Sequence, residues 1–269
     1  MLKLRLLPAF FAFIFILISC NPDNLIYSDH TIIIIKADDL GNMTNNWQNF
    51  ISKSVENDVP VSIGVIASHM TDDSTKIKVR NLSKLRSKTG NLLLEFWNHG
   101  YDHSRDNNVE EFRIPNLAYQ IDHIKRSQVF FKDSLGIEST TFSTPFNESS
   151  DTTFEALKHF PEIKIWMCYQ RKEKQFHTSW IDPDFNVLKS TENQILLNVR
   201  IQAVFHLPLI MLKRIVDSNT HPPYLIIQIH PNTWEDHDFE DYQTMIDYLK
   251  QKKFIFMTPQ QYYLYLKHA

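Results

Sequence analysis

The sequence contains little glycine and little cysteine, and it carries no large excess of charge of either sign. Its 269 residues include 5 glycines and 2 cysteines, and 28 lysines and arginines oppose 31 aspartates and glutamates. Neither a GxGxxG nor a GxxxxGKS/T pattern occurs, so no nucleotide cofactor bound by a glycine-rich loop is expected. The formal net charge of −3 argues against nucleic acid as a partner, because binding phosphates requires a basic surface.

The remaining composition is that of a globular protein. Hydrophobic residues make up 43% of the chain, charged residues 22% and aromatic residues 13%. These proportions exclude a disordered chain, a collagen-like repeat and a membrane protein with many spans. The aromatic side chains are numerous enough for a large core and for stacking against sugar rings.

The first 19 residues have the pattern of an export signal. Lys3 and Arg5 precede an apolar run at residues 6–18, which is too short to span a bilayer comfortably. The run ends in Leu17-Ile18-Ser19-Cys20, which resembles the cleavage box of a bacterial lipoprotein. We therefore expect cleavage before Cys20, a lipid on its thiol and a tether of residues 20–30. An ordinary secretory signal with an incidental cysteine is the alternative.

This interpretation predicts an exported protein of the bacterial cell envelope, anchored to a membrane by its lipid. The outer membrane or the cell surface is the expected location. Once Cys20 carries a lipid, Cys168 has no intramolecular partner, so no disulfide framework can form. The stability of the mature chain must then come from its hydrophobic core.

Residues 31–269 are expected to form one domain, because no linker or repeat divides them. Short apolar runs alternate with helix-compatible segments, and several runs are continuous, as in parallel strands covered on both faces. We predict strands at residues 31–37, 59–66, 92–96, 139–143, 163–167, 202–206, 224–229 and 254–257. We predict helices at residues 47–57, 75–88, 116–134, 152–160, 209–217, 239–251 and 259–267. This alternation indicates the α/β class, as a single-domain distorted (β/α) barrel with about seven parallel strands.

Two adjacent carboxylates, Asp38 and Asp39, directly follow the first predicted strand. In a parallel barrel, chemistry occurs at the carboxyl ends of the strands, where these side chains lie. One carboxylate can bind a metal ion while the other takes or orients a proton. The alternative is a structural role as a helix cap or an Asx turn, for which aspartate is also common.

His99 and His103 follow the third predicted strand, with Gly100 between them. A spacing of four residues lets both imidazoles face one ion, and the glycine suits a tight turn. Together with one carboxylate they form a set of ligands that leaves positions open for water and substrate. A pair of surface histidines is the structural alternative.

Other histidines are less informative. His230 ends the seventh predicted strand, where it could protonate a leaving group or serve only as a cap on the sheet. His206 also follows a strand, but an apolar helix continues from it, which favours a structural role. His123 and His159 fall within predicted helices, and we expect them on the surface.

These motifs, in this order, resemble those of the polysaccharide deacetylase family, the family 4 carbohydrate esterases. Asp38-Asp39 matches the family's first motif. His99 and His103 match its His-Ser/Thr-x-x-His motif, with Gly100 at the Ser/Thr position. Ile229-His230 matches its last motif, an apolar strand that ends in histidine. The resemblance extends over roughly residues 31–258.

The resemblance implies a distorted barrel and a metal-dependent hydrolase. Asp39, His99 and His103 would bind a divalent metal, with zinc expected and Co²⁺, Ni²⁺ or Fe²⁺ as alternatives. Asp38 would act as the general base and His230 as the general acid. The substrate would be an acetylated polysaccharide or oligosaccharide, and the sequence does not distinguish N-linked from O-linked acetyl groups.

The expected oxyanion site is a backbone N–H of Pro145-Phe146, and Trp97 is the expected wall of a sugar-binding groove. The third family motif is degenerate, because Ser143 stands where the family has an arginine that orients the catalytic aspartate. Loss of such a partner costs about 10- to 100-fold, unless another residue such as Lys36 replaces it. A catalytically impaired carbohydrate-binding lipoprotein on the same barrel is therefore the alternative function.

Overall fold

The computed structural model describes residues 31–106, 109–169, 194–202, 209–217 and 222–268. The predicted export signal, Cys20, the tether and His206 lie outside these ranges. The described strands are β1 (Ile32–Leu40), β2 (Val61–Val65), β3 (Leu94–Asn98), β4 (Arg105–Asp106), β5 (Val109–Glu110), β6 (Thr141–Phe142), β7 (Ile165–Cys168), β8 (Ile195–Gln202), β9 (Tyr224–Ile229) and β10 (Ile255–Phe256). The described helices are α1 (Asn45–Glu56), α2 (Asp73–Leu82), α3 (Leu117–Phe130), α4 (Asp151–Leu157), α5 (Leu209–Val216), α6 (Asp236–Gln251) and α7 (Pro259–His268).

Seven parallel strands close into a barrel, which confirms the predicted fold class. The order around the barrel is β1, β2, β3, β6, β7, β8 and β9, and β9 pairs with β1 to close it. β10 pairs with the start of β1, at Ile32 and Ile33, whereas β2 pairs with β1 only from Lys36 onward. The short strands β4 and β5 form a separate antiparallel hairpin, which the hydrophobic pattern did not predict.

Alternate residues of β1 face two different hydrophobic clusters. Ile33 and Ile35 are fully buried against a cluster that includes side chains of α1 and α6. Ile32 and Ile34 belong to another cluster, formed by side chains of β3, β7, β8 and β9 together with Tyr262 of α7. The second cluster is therefore the interior of the barrel. Because both faces of β1 are covered, its isoleucine run is apolar at every position.

Trp97 lies inside the barrel and does not form the wall of a sugar groove, so that expectation was wrong. Its side chain is fully buried, and a β-carbon at Gly64 of β2 would lie 2.5 Å from its Cη2 atom. The absence of a side chain at Gly64 makes room for the indole. Trp47 and Trp234 are also buried, in the cluster between the barrel and its helices.

One predicted strand differs from the structure. The prediction at residues 202–206 shares only Gln202 with β8, and residues 203–206 lie outside the described ranges. β8 contains Asn198 and Arg200 among its apolar residues, and these polar positions obscured the apolar run that marks a strand. Cys168 ends β7, is buried, and forms no disulfide among the described residues. Of the helices described, none is both long and apolar enough to cross a membrane.

Candidate metal centre

The candidate residues of four strands meet at the carboxyl end of the barrel. β1 carries Asp38 and Asp39, β3 leads into His99, and β9 leads into His230. β6 leads into the segment from Ser143 to Asn147. Parallel strands end at the same edge, so the closure of the barrel brings these segments together.

An irregularity in β1 lets two adjacent carboxylates reach the same site. The pairing of β1 with β2 shifts register between Ala37 and Leu40, and Asp39 has a left-handed backbone with φ of 74°. In a regular strand, neighbouring side chains point to opposite faces. The shift turns Asp39 so that its carboxylate lies near that of Asp38, both of them within 4 Å of His99 Nε2.

Asp39, His99 and His103 converge on one point. The Nε2 atoms of His99 and His103 each lie 3.1 Å from Asp39 Oδ1. Burial raises the pKa of Asp39, but the nearby His103 and His99 imidazoles lower it by more, so the pKa of Asp39 lies below its usual range. The one carboxylate and the two imidazoles predicted from the sequence are thus brought together.

The donor set fits a divalent metal ion. His99 Nδ1 lies 3.0 Å from the backbone oxygen of Ser143, so this nitrogen carries a proton and donates it. In the neutral ring, Nε2 then presents a lone pair to Asp39 Oδ1, and two acceptors face each other. A cation between them relieves that conflict, and two nitrogens with one oxygen suit zinc and related ions.

Asp38 is buried beside this set and is held by a chain of polar contacts. Its Oδ2 atom contacts Lys36 Nζ and accepts a hydrogen bond of 2.8 Å from Gln228 Nε2. Asn147 Nδ2 in turn donates to Gln228 Oε1 at 2.7 Å. Asp38 Oδ1 is buried without a hydrogen-bond partner in the described chain. The carboxylate is thus oriented through one oxygen while the other stays available.

Lys36 supplies the positive charge beside Asp38. Burial lowers the pKa of Lys36, and the neighbouring Asp38 opposes part of that change. Ser143, which stands at the arginine position of the third motif, is fully buried, and its backbone oxygen accepts the hydrogen bond from His99. The side-chain hydroxyl of Ser143 has no partner within the described residues.

His230 and the segment after β6 form the more exposed part of the site. His230 Nε2 lies 3.9 Å from Asp39 Oδ2, and 17% of its side chain is exposed. The Phe146 ring lies 4.0 Å from the His103 ring and 4.2 Å from the Arg105 guanidinium. Pro145 is buried against Gly100. Since proline has no N–H, Phe146 provides the only backbone donor of this pair.

Two residues near the centre were not predicted from the sequence. His123 is buried, contrary to the expected surface position, and its Nδ1 lies 2.8 Å from Oε1 of the fully buried Glu111. The burial of His123 could have been predicted from its spacing, because Gln120, Ile124 and Ser127 are also buried on the same face of α3. Glu111 lies in a polar segment with no comparable pattern.

Comparison with known proteins identifies the fold. No protein-family model matches the sequence, and no curated protein matches it. A family 4 acetyl xylan esterase from Clostridium thermocellum, solved with a cobalt ion, has a TM-score of 0.53 at 16% identity over 85% of this chain and 88% of its own. A family 4 carbohydrate esterase from Bacillus anthracis has a TM-score of 0.53 at 12% identity, and the match covers 85% of this chain and 80% of that protein.

A family 4 pseudoenzyme from Bacillus anthracis is also similar, with a TM-score of 0.54 at 12% identity over 86% of this chain. This chain spans 65% of the length of that protein. The chain therefore has the barrel fold found in family 4 carbohydrate esterases, both active and inactive.

We predict that zinc stabilises the purified protein through Asp39, His99 and His103. At a free zinc concentration about 100 times the Kd, the melting temperature should rise by about 5–10 °C. His103→Ala should lose most of that rise, measured by thermal unfolding with and without zinc. His237→Ala, which removes an exposed histidine of α6, is the matched control and should keep it. An equal rise in the melting temperature of His103→Ala would contradict zinc binding at this site.

Proposed function

We propose that the protein is a metal-dependent hydrolase that removes acetyl groups, N-linked or O-linked, from a cell-envelope or extracellular polysaccharide. The observation that carries this proposal is the convergence of Asp39, His99 and His103 beside Asp38, whose Oδ1 atom is buried and without a partner in the described chain. The shared fold of family 4 carbohydrate esterases supports the same chemistry.

Asp39 Oδ1 and the Nε2 atoms of His99 and His103 would hold the cation. A divalent cation bound there would lower the pKa of a water molecule and polarise the acetyl carbonyl. We assign removal of the water proton to Asp38 Oδ1. Lys36 and Gln228 hold the other oxygen of that carboxylate, so the base keeps one orientation while it takes the proton.

We assign protonation of the leaving group to His230 Nε2. The water oxygen forms a bond to the acetyl carbon, and the bond from that carbon to the sugar oxygen or nitrogen breaks. The proton from His230 passes to the departing sugar, and acetate is released. The Phe146 N–H is the backbone donor that we assign to the negative oxygen that develops on the carbonyl.

We predict that the metal-loaded protein releases acetate from acetylated glycans. Zinc- or cobalt-loaded protein, assayed on a panel of N- and O-acetylated glycans, should release acetate from at least one of them. Asp38→Asn should lose at least about 100-fold in kcat, because a general base contributes about 10²–10⁴-fold. Asp73→Asn, at an exposed position of α2, is the matched control and should keep full activity.

A non-catalytic carbohydrate-binding protein on this barrel is the second candidate function. Ser143 stands at the position of the arginine expected from the family resemblance, and a family 4 pseudoenzyme shares the fold. A mutant of that pseudoenzyme has restored enzymatic activity, so the same barrel occurs with and without catalysis. Folded protein that shows the zinc-dependent rise in melting temperature but releases no acetate would favour this candidate.

We further predict that Lys36 takes over the orientation of the catalytic aspartate. Lys36→Met removes the charge beside Asp38 with little change in side-chain length. It should lower kcat by about 10- to 100-fold and change KM little, because Lys36 is fully buried and cannot contact the substrate directly. Steady-state kinetics of this variant and of Lys84→Met, which alters an exposed residue, test the prediction. Full activity of Lys36→Met would show that Asp38 needs no cation.

We also propose that the protein is anchored by a lipid on Cys20, on the basis of the Leu17-Ile18-Ser19-Cys20 motif. Cys20→Ser should move the protein from the detergent phase to the aqueous phase on detergent partitioning of cells that express it. Cys168→Ser, which alters the buried cysteine of β7, should leave the protein in the detergent phase. Wild-type protein found in the aqueous phase would contradict the anchor.

A further inference from the structure

We infer that Glu111 is a positioning residue for the candidate metal centre: its buried carboxylate, oriented by His123, fixes the turn that carries His103. The inference rests on the proposed function, since it assigns to Glu111 a part in metal binding by Asp39, His99 and His103. Glu111 is not one of the proposed ligands. It would act through the backbone of the segment that follows β3.

The carboxylate of Glu111 binds the backbone of this segment at two points. Its Oε1 atom accepts a hydrogen bond of 2.8 Å from the N–H of Tyr101, and its Oε2 atom accepts one of 2.9 Å from the N–H of His103. The N–H of Glu111 itself donates to the backbone oxygen of Ser104 at 3.0 Å. Glu111 therefore holds the ligand His103 from both sides.

The turn needs such support because the backbone of His103 is strained. Gly100 has φ of 80° and His103 has φ of 53°. A left-handed conformation at a residue other than glycine costs about 1–3 kcal/mol and persists only where the surroundings impose it. The hydrogen bond from His103 to Glu111 is a contact of that kind. Without it, we expect the His103 imidazole to sample positions in which Nε2 no longer faces Asp39.

The position of Glu111 also explains the glycine in the motif. A β-carbon at Gly100 would lie 2.8 Å from Glu111 Oε2 and 2.7 Å from Pro145 Cγ. The space that a serine or threonine would need at this position is thus occupied by the carboxylate. In this chain the turn is supported by a residue from outside the His-x-x-x-His motif, and the motif itself is left without a side chain at its second position.

His123 satisfies the remaining requirement of a buried carboxylate. Its Nδ1 atom donates to Glu111 Oε1 at 2.8 Å. The rings of Tyr101 and Tyr119 flank the imidazole, with centroids 5.5 Å and 3.9 Å away. Burying a carboxylate is costly unless it is paired and hydrogen-bonded. Two backbone N–H groups and one imidazole N–H meet that condition, and they hold the carboxylate in one orientation.

The donor atoms of Asp102, Glu111 and His123 lie within 4.8 Å of one another, a separation that also suits a second metal site. The contacts favour the positioning role, because both oxygens of Glu111 already accept hydrogen bonds from the backbone. The two interpretations differ in stoichiometry. The positioning role predicts one tightly bound cobalt ion per chain, and a second tight ion that is lost in Glu111→Gln would overturn it.

The test measures metal binding directly. The Kd for zinc is determined by competition with a chromophoric chelator, and the ligand geometry is followed by the visible absorption of bound Co²⁺. Glu111→Gln replaces one acceptor oxygen by an NH₂ group that faces a backbone N–H. It should weaken zinc binding about 10- to 100-fold and alter the cobalt spectrum. His123→Gln, a milder change, should weaken binding in the same direction.

Glu95→Gln is the matched control. Glu95 of β3 is also a buried carboxylate that accepts a backbone hydrogen bond, from the N–H of Gln260 at 2.8 Å, and its other oxygen binds the Thr141 hydroxyl. It lies at the opposite end of the barrel, beside the start of α7. Glu95→Gln should lower the melting temperature while leaving the zinc Kd within about twofold, since it touches no residue of the metal centre.

The outcomes separate this inference from the proposed function. Wild-type protein that binds no zinc would refute the metal centre and with it the proposed hydrolase. Wild-type protein that binds zinc while Glu111→Gln binds it equally tightly would refute only the positioning role. An equal loss of affinity in Glu95→Gln would show that general destabilisation explains the effect. If Glu111→Gln does not fold, unchanged affinity and an unchanged cobalt spectrum in His123→Gln would refute the inference.

Discussion

The closure of the barrel between β1 and β9 is the constraint on which the candidate site depends. The two strands pair over six consecutive positions, from Ile32 opposite Tyr224 to Ala37 opposite Ile229. The carboxylates that follow Ala37 are thereby brought next to the histidine that follows Ile229. The same pairing places Gln228 against Asp38 across 190 positions of sequence. If this register slipped by one residue, each of these side chains would turn to the other face of the sheet.

The centre of the barrel combines an apolar interior with a few buried charges. Lys36 and Asp38 are both almost fully buried, and the Lys36 ammonium lies 5.1 Å from the centre of the Trp97 ring. The free-energy cost of moving such charges out of water is commonly larger than the stabilisation from their mutual attraction. Their presence above a well-packed interior is therefore better explained by the orientation of Asp38 than by stability. The strained backbone of Asp39, in the left-handed region, fits the same interpretation, since strain of this kind concentrates at functional sites.

Much of the fold and of the site could be predicted because local pattern and chain topology act together. Continuous apolar runs predicted six of the seven barrel strands in approximately the right places, and polar residues at the ends of two of them predicted the convergence of Asp39, His99 and His103. The predictions failed where the structure depends on more than the local hydrophobic pattern. β8 carries polar residues within its apolar run, Trp97 was assigned to a groove because it precedes a ligand, and the burial of His123 depends on Glu111, which belongs to a different segment.

The amino-acid sequence by itself determined the class of fold and the chemistry available at the strand ends, because hydrophobic periodicity and residue type are properties of the chain. Only the tertiary structure decided which groups share a contact. It paired Lys36 with Asp38, put Trp97 inside the barrel, and set Glu111 and His123 beneath the turn of His103. Those contacts join residues from separate elements, and their geometry follows from strand register, a shift within β1 and the space left by Gly64 and Gly100. These are properties of packing, which no single segment of the sequence carries.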